Sequence, residues 1–198
     1  AAGLFAAPRL WAQQADKLPR IGLIVNASAP NPNFAPNLEN LLAALRALGW
    51  ADGRNLVVET RYAGPNPQRQ REVAAELKAL PVALIMAAGT TSIRAARDGA
   101  PGLPLAMVNA GDAVGAGFVA SLAWPDGDLT GTSAAGEEVL GKQVELLVAA
   151  MPQLRRISVL MGSVNPANRF FMDAMQARAK PLGLQLERID VGAPDELD

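Results

Sequence analysis

From Arg20 onward the chain alternates short apolar runs with segments whose apolar positions recur every three to four residues. "RIGLIVNA" (20–27), "LVVETRYA" (56–63), "VALIMAAG" (82–89) and "PLAMVNAG" (104–111) are of the first kind. Their length, and the small or polar residues that end them, predict buried strands. Between them, "NLENLLAALRALGW" sets Leu38, Leu41, Leu42, Leu45 and Leu48 at helical spacing, with Asn37 placed to cap the helix and Gly49 to stop it. "PQRQREVAAELKAL" (67–80) carries Val73, Leu77 and Leu80 on one face. Thr90 or Thr91 is placed to cap a short helix over "SIRAARDGA".

Strands that alternate with helices predict βαβ units and a parallel sheet, and mostly apolar strands predict helices on both faces, a three-layer αβα arrangement. The pattern then changes. "GFVASLAWPDGDLTGTSAAG" (117–136) holds a Pro-Asp-Gly turn and a Thr/Ser/Gly-rich stretch, and it reads as a crossover. A helix follows over "EEVLGKQVELLVAAMP", then a strand at 155–162, a helix that ends near Lys180-Pro181 and a strand at 184–191. "APDELD" opens like one more helix, with Asp195 as its cap. The expected organisation is a first α/β unit at 20–130, a hinge at 131–136 and a partial second unit at 137–198. Two strands alone leave sheet edges uncovered, so the second unit reads as truncated.

Composition narrows the chemistry. The 198 residues are 50% hydrophobic, enough for a sizeable core. Lys plus Arg number 18 against 19 Asp plus Glu, so no basic balance points to nucleic acid. There is no histidine and no cysteine, which removes the Ser-His-Asp triad, imidazole metal ligands, thiolate nucleophiles and disulfides. No apolar run is long enough to span a bilayer. The opening "AAGLFAAPRLWAQQADK" passes from small apolar residues into a polar stretch. Residues 1–12 therefore read as the remnant of a secretory signal, which places the protein in the periplasm.

In open parallel sheets ligands bind outside the carboxyl ends of the strands. Those ends leave here through Asn26-Ala27-Ser28, Gly89-Thr90-Thr91-Ser92, Asn109-Ala110-Gly111-Asp112 and, in the second unit, Gly162-Ser163-Val164-Asn165. Amides and hydroxyls of this kind orient a ligand rather than transform it. The N–H groups that open the helix after Gly89 suit a carboxylate or a phosphate; with a carboxylate there, Asp112 is placed to meet an amino group. "GAGFVA" (115–120) formally matches a dinucleotide-binding loop. It does not follow its strand directly, and the tight packing of a short helix explains its glycines better. Glu137 and Glu138 are adjacent on a helix and point apart, so they enrich a helix N-terminus rather than form a carboxylate pair.

Three stretches, "LGWADGRNLVVETRYA", "VNAGDAVGAGFVASLAWPDGDLTG" and "GKQVELLVAAMPQLRRISVLMGSVNPAN", closely resemble the substrate-binding proteins of ABC transporters, in the subfamily with tryptophan- and related amino-acid-binding members. The resemblance runs from about Gln13 to the last residue. It implies a type I periplasmic-binding-protein fold, two α/β lobes closing on a solute, with no catalysis, cofactor or metal and with a membrane permease as partner. Carried over position by position, the implied ligand contacts are Asn26, Ala27, Gly89, Thr90, Thr91, Asn109, Asp112 and Asn165. Where the family usually carries Ser or Asn before the aspartate and proline after it, this chain has Gly111 and Ala113. Two other readings share the element pattern: a doubly wound enzyme using Asp112 or Lys142 with a cofactor, and the effector-binding core of a regulator.

Overall fold

The structure, a computed structural model, describes residues 18–27, 35–125, 127–134, 136–163, 165–192 and 196. The signal reading at residues 1–12 and the helix start at Asp195 lie outside the described residues. Five strands form one parallel sheet: β1 (Arg20–Val25), β2 (Val57–Tyr62), β3 (Leu84–Ala88), β4 (Leu105–Ala110) and β5 (Leu129–Ser133), in the order β2-β1-β3-β4-β5. Helices α1 (Ala35–Ala47), α2 (Pro67–Ala79) and α3 (Thr90–Gly99) connect the first four. Right-handed crossovers put α1 on one face and α2 with α3 on the other, because the chain steps outward from β1 to β2 and then reverses. α2 and α3 do pack on each other. An alanine methyl at Gly99 would collide with the Arg71 carbonyl and come within 2.9 Å of Ala74 Cβ, so glycine sets how closely the two helices approach.

The core of this lobe is Ile24, Val73, Leu77, Ile85 and Ile93, all at most 1% exposed, with Leu105, Met107 and Phe118 around them. Burying each large aliphatic contributes about 1.5–3 kcal/mol. α1 differs. None of its residues is fully buried, and Leu38, Leu41, Leu42 and Leu45 are only half-buried.

The second lobe has two parallel strands, β6 (Arg156–Gly162) and β7 (Gln185–Val191), with α4 (Gly136–Ala150) and α5 (Asn168–Ala179) packed together. A short 3₁₀ turn, Lys180–Leu182, continues α5 at the predicted Lys180-Pro181 break. Val144, Met161, Met172, Met175 and Leu184 form its own small core. Leu160 (58%) and Ile189 (41%) remain exposed on its strands. Among the described residues no helix is long and apolar enough to cross a membrane.

Local expectations change at four places. α1 begins at Ala35, so Asn37 lies inside it rather than capping it. The cap of α3 is Gly89 (φ +80°) and not Thr90 or Thr91, because both threonines already belong to the helix. The end of the stretch read as a crossover is β5, which pairs with β4 through Leu105↔Leu129 to Ala110↔Ser133, with a register shift between Met107 and Ala110. Its sequence, LTGTS, has one buried residue and offers no apolar run, so the ladder rather than the side chains makes it a strand. The glycine-rich 115–120 segment is a turn and not a helix: Ala116 N–H bonds Asp112 O, Phe118 N–H bonds Ala113 O, and Gly117 (φ +69°) then turns the chain out of helical geometry.

Candidate functional site

Reversal of the strand order in the sheet leaves a crevice between the carboxyl ends of β1 and β3, where open α/β sheets bind ligands. A recess of about 230 Å³ lies there. Asn26 leaves β1 into it, Pro65 follows β2, Ala88 to Ser92 form its β3–α3 wall, and Gly162 and Asn165 reach it from the second lobe. The volume is below the ~300–1,000 Å³ of pockets for drug-sized ligands and suits a smaller solute. Among the described residues no charged side chain lines it.

The recess is built from groups that orient. Gly89 has no side chain to cap α3, so the N–H groups of Thr90, Thr91 and Ser92 open the helix with no acceptor inside it and carry its positive dipole end. Thr90 Oγ1 accepts from the Gly111 N–H at 3.0 Å, which ties the α3 terminus to the end of β4. Ser92 is 1% exposed, and its Oγ has no hydrogen-bond partner among the described residues. The Asn26 Oδ1 accepts from Gln70 Nε2 at 3.2 Å, and the same Nε2 donates to Gly64 O at 2.6 Å. From the second lobe, Asn165 Oδ1 accepts from the Ala167 N–H at 3.0 Å, while Asn168 Nδ2 bonds Gly162 O at 2.6 Å.

Of the eight residues singled out in the sequence, the recess brings together Asn26, Gly89, Thr90, Thr91 and Asn165. Ala27, Asn109 and Asp112 are not part of its wall. Ala27 uses its carbonyl to accept from the Gly64 N–H at 3.0 Å. Asn109 is exposed, has φ +54°, and donates its N–H to Thr132 Oγ1 at 2.9 Å. Asp112 Oδ1 accepts from the N–H groups of Val114 (3.1 Å) and Gly115 (2.9 Å), so the carboxylate pins its own loop. Pro65 and Gln70 went unnoticed in the sequence. Gln70 had a readable signal: Gln70, Val73, Ala74 and Leu77 are the four buried positions of α2, so a polar residue holds the first place of an apolar stripe.

The lobes meet at the start of α5. Phe170 packs against the first-lobe core, and Phe171 against the second. An alanine methyl at Gly111 would stand 2.8 Å from Phe171 Cζ and 3.1 Å from Thr90 Oγ1; one at Gly136 would stand 2.8 Å from Phe171 Cε1. The ring thus occupies a slot between two glycines. A larger recess, about 670 Å³, opens at the opposite, amino ends of the strands around Leu18, Pro19, Val57 and Val82. Among the described residues its one charged side chain, Arg20, is paired with Glu59. It lacks the convergent polar groups of the β1–β3 crevice.

The sequence profile of ABC transporter substrate binding proteins matches residues 25–198. The chain belongs to this family. Its relatives include a tyrosine-binding protein of Clostridioides difficile (strain R20291), 24% identical over 168 residues, which are 85% of this chain and 48% of the relative. The chain spans about half the length of that curated relative. The ABC domain from Streptococcus pneumonia solved in complex with L-Trp superposes with a TM-score of 0.79 at 22% identity, over 91% of this chain and 59% of that one. A leucine-binding protein, LivK, of Thermotoga maritima gives 0.69 at 10% identity, over 89% and 50%. These superpositions establish the two-lobed type I periplasmic-binding-protein fold of this family member. The family consists of transport proteins and not of enzymes.

Proposed function

We propose that this family member is the extracytoplasmic solute-binding component of an ABC transporter, which binds an amino acid or a related compound between two lobes and delivers it to the membrane permease. One observation carries the reading: the recess at the sheet's reversal point is walled from both lobes by uncharged polar groups, with a helix N-terminus at its base. Such a terminus holds a carboxylate without a counter-charge. The contacts are Asn26, Gly89, Thr90, Thr91 and Asn165, and the hinge between the lobes 20–130 and 137–198 is 131–136, which takes in the last three residues of β5 and the first of α4. Secretion to the periplasm through the leading segment 1–12 belongs to the same reading. Binding and release move no proton, which agrees with a chain that has no histidine.

The tryptophan complex and the tyrosine-binding relative make aromatic amino acids the first ligands to try. In a titration of the ¹⁵N-labelled chain with L-tryptophan, L-tyrosine and L-leucine, at least one is expected to shift the amide signals of Thr91, Ser92 and Asn165 together and saturably. D-glucose should leave them in place. If all three amino acids leave these signals unmoved, the amino-acid reading is wrong.

A further inference from the structure

Gln70 is fully buried, yet it carries a carboxamide where its helix otherwise buries Val73, Ala74 and Leu77. A backbone carbonyl can only accept, so the 2.6 Å contact with Gly64 O fixes the amino end of Gln70 toward Gly64. The second N–H of that same amino group meets Asn26 at 3.2 Å. Only a carbonyl oxygen satisfies it, so the Asn26 carboxamide is turned with Oδ1 to Gln70 and its amino end away. Asn165 repeats the arrangement on the other lobe, where Oδ1 is engaged by the Ala167 N–H.

We propose that Gln70 is a positioning residue that locks the Asn26 carboxamide with its N–H donors facing the recess, so that the wall between β1 and α3 offers donors and selects a solute with an oxyanion, a carboxylate above all. A chain of one-way hydrogen bonds, Gly64 O to Gln70 to Asn26, then converts a fixed backbone carbonyl into a fixed donor at the site. Without it the Asn26 amide would turn over freely, since its two ends have nearly the same shape, and would present an acceptor as readily as a donor. The inference rests on the recess being the solute site, but not on the solute being an amino acid.

Sodium acetate is the probe, followed on the ¹⁵N-labelled chain. Acetate is expected to shift the Asn26 Nδ2H₂ pair and the Thr91 and Ser92 N–H signals with one apparent constant, and acetamide to do so far less. Gln70→Met keeps an unbranched buried chain and removes both donors. In that variant the Thr91 and Ser92 signals should still respond, while the Asn26 response collapses and acetate binds about tenfold more weakly. A role confined to stability would lower the melting temperature without separating the two reporters. Asn26→Asp gives an independent reading, because Gln70 keeps its acceptor and the recess now faces an oxyanion; acetate binding should be lost. An Asn26 amide that is silent to acetate in the unaltered chain, an unchanged Asn26 response in Gln70→Met, or undiminished acetate binding in Asn26→Asp would each overturn the proposal. Should acetate register at Asn26 while every amino acid fails, the amino-acid assignment falls and this one stands.

Discussion

The Asp112 carboxylate serves two backbone N–H groups two and three residues ahead, the geometry by which an aspartate caps a helical turn. Asp112→Ala should therefore cost about 1 kcal/mol of stability, and Asp112→Asn much less, because the amide oxygen still accepts. Urea denaturation of the three proteins measures this. If Asp112 instead met a ligand's amino group, Asp112→Asn would lose affinity at unchanged stability. The same residue marks the limit of reading sites from strand exits. The sequence shows which residues leave the sheet edge, but a carboxylate after a strand can turn to its own loop or to the cleft, and local N–H groups decide between them. That Asn26, Gly89, Thr90, Thr91 and Asn165 stand at one recess was legible, because the switch point fixes where β1 and β3 end. Gln70 was legible only as a polar residue in an apolar stripe; its role was not, because that lies in the direction of a hydrogen bond between residues 44 positions apart.

At the scale of elements, α4 and α5 are tied by Glu145, which bonds Lys142 Nζ at 2.7 Å and faces Arg178 Nη1 at 3.7 Å. The hydrogen bond from Lys142, then its charge and that of Arg178, hold the Glu145 carboxyl below the usual carboxylate range despite slight desolvation. A carboxyl lowered in the folded state stabilises above its unfolded pKa and loses that contribution as the pH falls through the folded value. The Glu145 contribution, which comes chiefly from Lys142 on its own helix and least from Arg178, is thus expected to fade only as the pH falls through the acid side of the usual carboxylate range, and Glu145→Gln to remove that acid-side dependence without changing the melting temperature's response near neutrality. Thermal denaturation across pH 3–7 of both proteins tests it. The elements themselves were readable wherever burial imposed a pattern: β1, β3 and β4 as apolar runs, α2 as a stripe. β5 escaped because its position at the sheet's end leaves Thr130, Gly131 and Thr132 exposed, so no apolar run marks it.

Across the whole molecule, two adjacent phenylalanines divide their loyalties, Phe170 to the first core and Phe171 to the second. Gly111→Ala would drive a methyl against Phe171 while Gly136 confines the ring from the other side. The expected cost is about 1–3 kcal/mol, and Phe171→Leu in the same chain should recover part of it, a coupling that a double-mutant cycle by denaturation reads directly. Additive effects would mean that the ring moves aside freely.

The slot has a consequence for the history of the chain. Gly111, Gly136 and Phe171 share one volume, so none of the three can change size without the others. In an alignment of the family the three columns are therefore expected to covary: members with a side chain at the position of Gly111 should carry a smaller residue in place of Phe171, and members with the ring should keep glycine.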